Sequence, residues 1–118
     1  MVPSTGERFK EKIERLNKKG FSKIIIDPGF GFGKTITHNY QILNNLNNLT
    51  SIGFPILVGI SRKSMIYKIT ENSPKEALNG TSILNTLALL NGANILRVHD
   101  VKVAMECIKI VTFAKNTI

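Results

Sequence analysis

The chain has 118 residues, of which 42% are hydrophobic and 20% charged, so it can form one small domain with an apolar core and is not disordered by composition. Its net charge of +8 favours anionic partners, but the basic residues are spread along the chain without interleaved aromatic residues, which argues against nucleic-acid binding. No apolar run approaches the ~18 residues of a membrane helix, and no signal peptide is evident. A single cysteine excludes an internal disulfide, so we expect a cytoplasmic protein.

Apolar residues at helical spacing predict five helices, and buried aliphatic runs predict three strands between them. The helices are expected at about 5–19, 39–49, 75–91 and 102–115, with a short one through Ile66 and Ile69, and the strands at 23–27, 56–60 and 94–98. Strands that alternate with helices in this way indicate βαβ units, which form a parallel sheet with right-handed crossovers. The predicted fold class is therefore α/β.

Polar residues follow each predicted strand at its carboxyl end. They are Asp27 after the first strand, Ser61, Arg62 and Lys63 after the second, and Arg97 and His99 at the end of the third. Because the carboxyl ends of parallel strands meet at one edge of a sheet, we expect these residues to line one site. The alternative is three unrelated strand ends that happen to be polar.

The residue types at these positions suit a flat, nitrogen-rich ring with a phosphate-bearing arm. Arg97 offers a planar fork of donors for phosphate oxygens, and His99, on the same face of the strand, adds a donor or a base. Asp27 can accept hydrogen bonds from an aminopyrimidine edge, and Arg62 with Lys63 can bind an anion or hold a heterocycle. The alternatives are a turn-capping role for Asp27, a helix-terminal or core position for His99, and a solvated surface pair for the two basic residues.

The loop after Asp27 contains three alternating glycines and two aromatic residues, Phe30 and Phe32. It matches neither the P-loop nor the dinucleotide-binding fingerprint. A flexible turn is the alternative, but two exposed aromatic rings in a loop indicate that something flat packs on them. The two histidines, His38 and His99, lie far apart and outside any cluster with metal-ligand spacing, so we expect no metal ligands in this chain.

Three segments of the chain resemble the C-terminal signature segments of dihydropteroate synthase, in the same order and at compatible spacing. They are Asp27-Pro28-Gly29-Phe30-Gly31-Phe32-Gly33-Lys34, Gly59-Ile60-Ser61-Arg62-Lys63-Ser64 and Arg97-Val98-His99-Asp100-Val101. That family is a (β/α)8 barrel that condenses 6-hydroxymethyl-7,8-dihydropterin diphosphate with 4-aminobenzoate in folate biosynthesis and releases diphosphate. The resemblance implies a transferase that acts on these two small molecules.

The resemblance also implies roles for individual residues. Asp27 would bind the amino-pyrimidine edge of the pterin, and Lys63 would contact the pterin and lie beside the aminobenzoate. Arg62 would stack over the pterin ring. Ser61 would lie near the aminobenzoate, whose ring Phe32 would flank.

The same resemblance implies that Arg97 and His99 hold the diphosphate leaving group. Together with Lys63 they would be the catalytic residues, because positive charge helps the diphosphate depart before the arylamine attacks the pterin cation. Mg²⁺ is the implied cofactor, although the family segment that helps bind the metal has no counterpart in this chain. The family also commonly forms a homodimer.

A complete barrel takes ~250 residues. Residues 1–118 are therefore expected to form the C-terminal part of the pterin-binding domain, a partial TIM (β/α)8 barrel with roughly strands 6–8 and their helices. Three strands would leave open sheet edges, which tend to pair with another chain. Two hypotheses stand: part of a dihydropteroate synthase that needs the other strands for activity, or a truncated, catalytically inactive fragment that retains a phosphate- or pterin-binding surface.

Overall fold

A computed structural model describes residues 5–31 and 34–117. Its helices are α1 Thr5–Lys18, α2 Ile36–Asn44, α3 Asn47–Thr50, α4 Ser64–Thr70, α5 Leu78–Leu90 and α6 Val101–Lys115, with a 3₁₀ turn at Pro74–Glu76. The strands are β1 Leu57–Val58 and β2 Ile95–Leu96. Within the described residues, no helix is both long enough and apolar enough to cross a bilayer.

The predicted parallel order of the strands is confirmed. Leu57 pairs with Ile95 in parallel register, and Ile26 forms a parallel bridge with Ile56 on the other side of β1. The strands are shorter than the five residues predicted for each. Among the described residues, only β1 has a paired neighbour on both sides. The Asn94 side chain, not a backbone carbonyl, accepts the Ile56 N–H at 3.0 Å, so the ladder ends early.

The core lies between the sheet and the helices that follow its strands. The side chains of Ile26, Ile56, Val58 and Ile60 are fully buried there, with residues from α2, α4 and α5 packed against them. Ile25 alternates with Ile26 along the first strand segment, and its side chain is exposed. Because neighbouring strand residues face opposite sides, this exposed side chain marks a second apolar face of the sheet.

Two predicted helices are interrupted. The helix expected at 39–49 begins earlier, at Ile36, and is broken by a turn between α2 and α3. The helix expected at 75–91 is divided into the 3₁₀ turn at Pro74–Glu76 and α5. Here the carbonyls of Pro74 and Lys75 accept hydrogen bonds from the guanidinium of Arg62 at 3.0 and 2.8 Å, and these are carbonyls that a continuous α-helix would use.

The buried side chain of Asn85 on α5 predicts a stabilising substitution. It is 2% exposed, and its Oδ1 has no hydrogen-bond partner. Leucine has the same branching without the unsatisfied oxygen, so we expect Asn85→Leu to raise the free energy of unfolding by about 1 kcal/mol. Urea denaturation of the chain measures this, with Asn85→Asp as a variant expected to destabilise because it buries a charge. A lower free energy of unfolding for Asn85→Leu would contradict the prediction.

Candidate active site

The carboxyl ends of the chain segments predicted as the first and third strands, 23–27 and 94–98, meet as expected. An Asp27 carboxylate oxygen lies 3.6 Å from Nη1 of Arg97, and both side chains are open to solvent, at 39% and 63% exposure. Arg97 reaches across the middle strand because residue 59 is glycine. A Cβ at Gly59 would lie 2.7 Å from Nη2 of Arg97, so the guanidinium rests against bare backbone. We did not predict this role for Gly59.

Lys63 joins this group from the end of the second strand. Its Nζ donates a hydrogen bond to the carbonyl of Phe30 at 2.8 Å, and its stem lies against Gly31, where a Cβ would be 3.2 Å from Cδ. Burial lowers the pKa of Lys63, the charge of Arg97 lowers it further, and Asp27 opposes the shift. Lys63 therefore carries a larger share of neutral amine than an exposed lysine does at the same pH.

The glycine loop is held in place by its own polar residues. Asp27 Oδ1 accepts the Gly29 N–H at 2.8 Å, so the capping role left open for Asp27 accompanies its contact with Arg97. Lys34 donates to the Gly29 carbonyl at 2.7 Å, and Asn39 Oδ1 accepts the Gly31 N–H at 2.8 Å. These bonds hold the backbone of the loop, whose Phe30 carbonyl accepts the hydrogen bond from Lys63.

The expectation of two exposed aromatic rings in this loop is wrong for Phe30. Its side chain is 2% exposed and belongs to the hydrophobic core, because this part of the loop packs against the core. Phe30 therefore serves the site through its backbone carbonyl. Phe32, predicted to flank a bound ring, lies outside the described residues.

The turn at 61–63 contacts the end of the third predicted strand through Ser61 and Arg62. Ser61 is buried, and its Oγ accepts the backbone N–H of His99 at 3.3 Å, which ties the second strand end to the third. His99 itself is exposed. The guanidinium of Arg62 is directed at Asp100, with Nε–Oδ2 and Nη2–Oδ1 distances of 3.2 Å each. Asp100 was not among the predicted site residues, although it belongs to the segment Arg97-Val98-His99-Asp100-Val101.

The charges around this rim favour an anion. The charges of Arg97, Asp27 and Lys34 all act on Lys63, and the carboxylate of Asp27 already contacts Arg97 and the Gly29 N–H. In the described part of the chain, no three His, Cys, Asp or Glu side chains are grouped to hold a metal ion. These residues therefore fit a phosphate-bearing ligand and do not by themselves fit a Mg²⁺ site.

The fold and this rim define the chain as part of a (β/α)8 barrel with a cation-rich site at the carboxyl ends of its strands. Residues 1–99 match the family model described as pterin binding enzyme. The chain is 43% identical over 105 residues to the dihydropteroate synthase of Escherichia coli K12, covering 87% of this chain and 37% of the relative. It is 41% identical over 109 residues to the bifunctional dihydropteroate synthase/dihydropteroate reductase of Helicobacter pylori, covering 92% and 29%. The chain belongs to the dihydropteroate synthase family of pterin binding enzymes.

Solved structures agree with this assignment. The Yersinia pestis dihydropteroate synthase superposes with a TM-score of 0.90 at 40% identity, covering 95% of this chain and 54% of that one. The Coxiella burnetii enzyme, solved in complex with pteroic acid, gives a TM-score of 0.88 at 42% identity, covering 92% and 41%. The predicted fold, part of a TIM barrel, is confirmed. The chain spans about a third of the length of the curated relatives that it matches.

Proposed function

We propose that residues 1–118 form the C-terminal part of a dihydropteroate synthase, which condenses 6-hydroxymethyl-7,8-dihydropterin diphosphate with 4-aminobenzoate. The observation that carries this proposal is the meeting of Asp27, Lys63 and Arg97 at one rim, with an ion pair at 3.6 Å between the first and the last. The family assignment and the pteroic acid in the Coxiella burnetii structure support it.

In this proposal the chain supplies position and charge. Asp27 accepts hydrogen bonds from the amino-pyrimidine edge of the pterin, and Lys63 contacts the pterin. Arg97 and His99 hold the diphosphate. The C–O bond to the diphosphate breaks, the leaving group takes the electron pair, and the arylamine nitrogen attacks the remaining pterin cation and then loses a proton. Cations placed beside the departing oxygens lower the barrier because charge accumulates there.

The aminobenzoate and the face of the pterin are proposed to meet the remaining predicted residues. Ser61 lies beside the aminobenzoate, and Phe32 flanks its ring. Arg62 has the edge of its guanidinium occupied by Asp100 and two carbonyls, so stacking on the pterin would use the flat face of the guanidinium.

Three further features belong to the same proposal. Mg²⁺ would be held by diphosphate oxygens and by residues outside this chain, because the described rim lacks a carboxylate cluster.

A homodimer is supported by exposed apolar side chains on α5 and α6, namely Ile83, Leu87, Val101, Met105 and Phe113. A cytoplasmic location, which the single cysteine favours, also belongs to the proposal.

The proposal is tested with a chimera in which this chain replaces the matching segment of the Escherichia coli relative. We expect the purified chimera to form dihydropteroate from both substrates, and we expect the 118-residue chain alone to form none, because part of the barrel is missing. A folded chimera without activity would contradict the proposal. Pterin binding by the isolated chain, measured by calorimetry, together with an inactive chimera would instead support the alternative of a binding-only fragment.

A further inference from the structure

We propose that Asp100 is a positioning residue that fixes the backbone of Arg62 and, through it, the place of Lys63 in the candidate site. The proposal rests on the proposed function only in taking that site as the functional one. Asp100 has no role in the proposed reaction and was not among the predicted site residues.

The backbone of Arg62 has an unfavourable conformation. Its φ is +54°, in the left-handed region that residues with a Cβ rarely adopt. The turn begins at Ile60, whose carbonyl accepts the Lys63 N–H at 3.2 Å, and α4 begins directly after Lys63. The φ of Arg62 therefore sets the direction in which the next residue leaves the turn.

The contacts of Arg62 hold it in this conformation. Its backbone N–H donates to Thr81 Oγ1 at 3.0 Å, and the guanidinium makes two hydrogen bonds to carbonyls and two to Asp100. The Asp100 contacts are bidentate and charge-assisted, and the two side chains are only 24% and 29% exposed. Such paired bonds fix orientation as well as distance.

The carboxylate of Asp100 does not cap the helix that follows it. Asp100 immediately precedes α6, a place where aspartate usually caps the helix with its side chain. Its side chain makes no capping hydrogen bond, and only its carbonyl takes part, accepting the Ala104 N–H at 3.1 Å. The carboxylate turns instead to Arg62, which lies 38 positions earlier in the chain.

The contact between Asp100 and Arg62 affects the candidate site because Lys63 directly follows Arg62 in the chain. With Arg62 held, the Lys63 side chain runs along Gly31 to the Phe30 carbonyl, where burial lowers its pKa. If Asp100 is removed, the turn can relax to an ordinary conformation. Lys63 then leaves this position and becomes an exposed lysine.

The test measures the pKa of Lys63 from the ¹³Cε chemical shift in the chain labelled at its lysines. In the wild-type chain we expect Lys63 to titrate below the ordinary lysine value of 10.5. We expect Asp100→Ala to bring its pKa up to that value and Asp100→Asn, which keeps one acceptor oxygen, to have a smaller effect. Lys115→Met is the matched control, because it removes a hydrogen bond from α6 to the Leu89 carbonyl at 2.8 Å without touching Arg62.

A double-mutant cycle shows whether Asp100 acts through Arg62. Glycine adopts the left-handed conformation without restraint, so in an Arg62→Gly background Asp100→Ala should have no further effect on the pKa of Lys63. Equal effects in both backgrounds would overturn the proposal. So would a Lys63 pKa that equals the ordinary value of 10.5 in the wild-type chain, or one that stays low in both Asp100 variants. The measurement needs no pterin and no turnover, so it stands or fails independently of the proposed reaction.

Discussion

Replacing Arg97 by methionine is expected to lower kcat/KM for dihydropteroate formation by about 10²- to 10³-fold in the active chimera, because the donor proposed to hold the departing diphosphate is lost. Arg97 extends from the third strand across Gly59 to the carboxylate of Asp27, and its side chain is 63% exposed, so it is available to a ligand. Its ion pair with Asp27 is exposed and contributes less than about 1 kcal/mol to the free energy of unfolding. The variant should therefore fold normally.

Steady-state kinetics of the chimera measure this effect. Arg15→Met, on the exposed surface of α1, removes the same charge far from the rim in sequence and is expected to leave kcat/KM unchanged. Arg97→Lys keeps the charge but loses the planar fork, so it should recover only part of the rate. An unchanged kcat/KM for Arg97→Met would exclude the proposed diphosphate contact.

Replacing Lys63 by methionine is expected to lower kcat/KM by about 10²-fold or more and to change its pH dependence. The ammonium form of Lys63 donates the hydrogen bonds that the proposed reaction uses. Because burial and the charge of Arg97 lower its pKa, the rate of the parent chimera should begin to fall at a lower pH than an ordinary lysine would cause. This alkaline decrease should be absent from the residual activity of Lys63→Met.

The pH dependence of the chain's stability checks independently that the pKa of Lys63 is lowered and not raised. Between the lowered pKa of Lys63 in the folded state and the ordinary value of 10.5, the unfolded state binds more protons. The contribution of Lys63 to the free energy of unfolding therefore rises as pH rises through this interval. Lys68→Met, on the exposed surface of α4, is the matched control and should keep both pH dependences. A parent chimera whose rate shows no alkaline decrease would contradict the role of Lys63.

Local sequence patterns were sufficient to predict the order of the helices and strands. The aliphatic run before Asp27 and the helical spacing of apolar residues depend on neighbours in the sequence, and so do the polar strand ends that parallel pairing brings to one edge. The prediction that Asp27, Lys63 and Arg97 meet followed from topology alone. Strand length was overestimated, because the number of paired residues depends on neighbouring strands and not on local composition.

By itself, the sequence determined the α/β order, the family motifs and the edge of the sheet at which the polar residues gather. Only the tertiary structure decided that Phe30 turns into the core, that Gly59 makes room for Arg97, and that Arg62 is held by Asp100. The physical reason is the range of the contacts involved. Periodicity records which face of an element is buried, whereas the partner of a side chain such as Arg62 lies 38 positions away and is chosen by the packing of the whole fold.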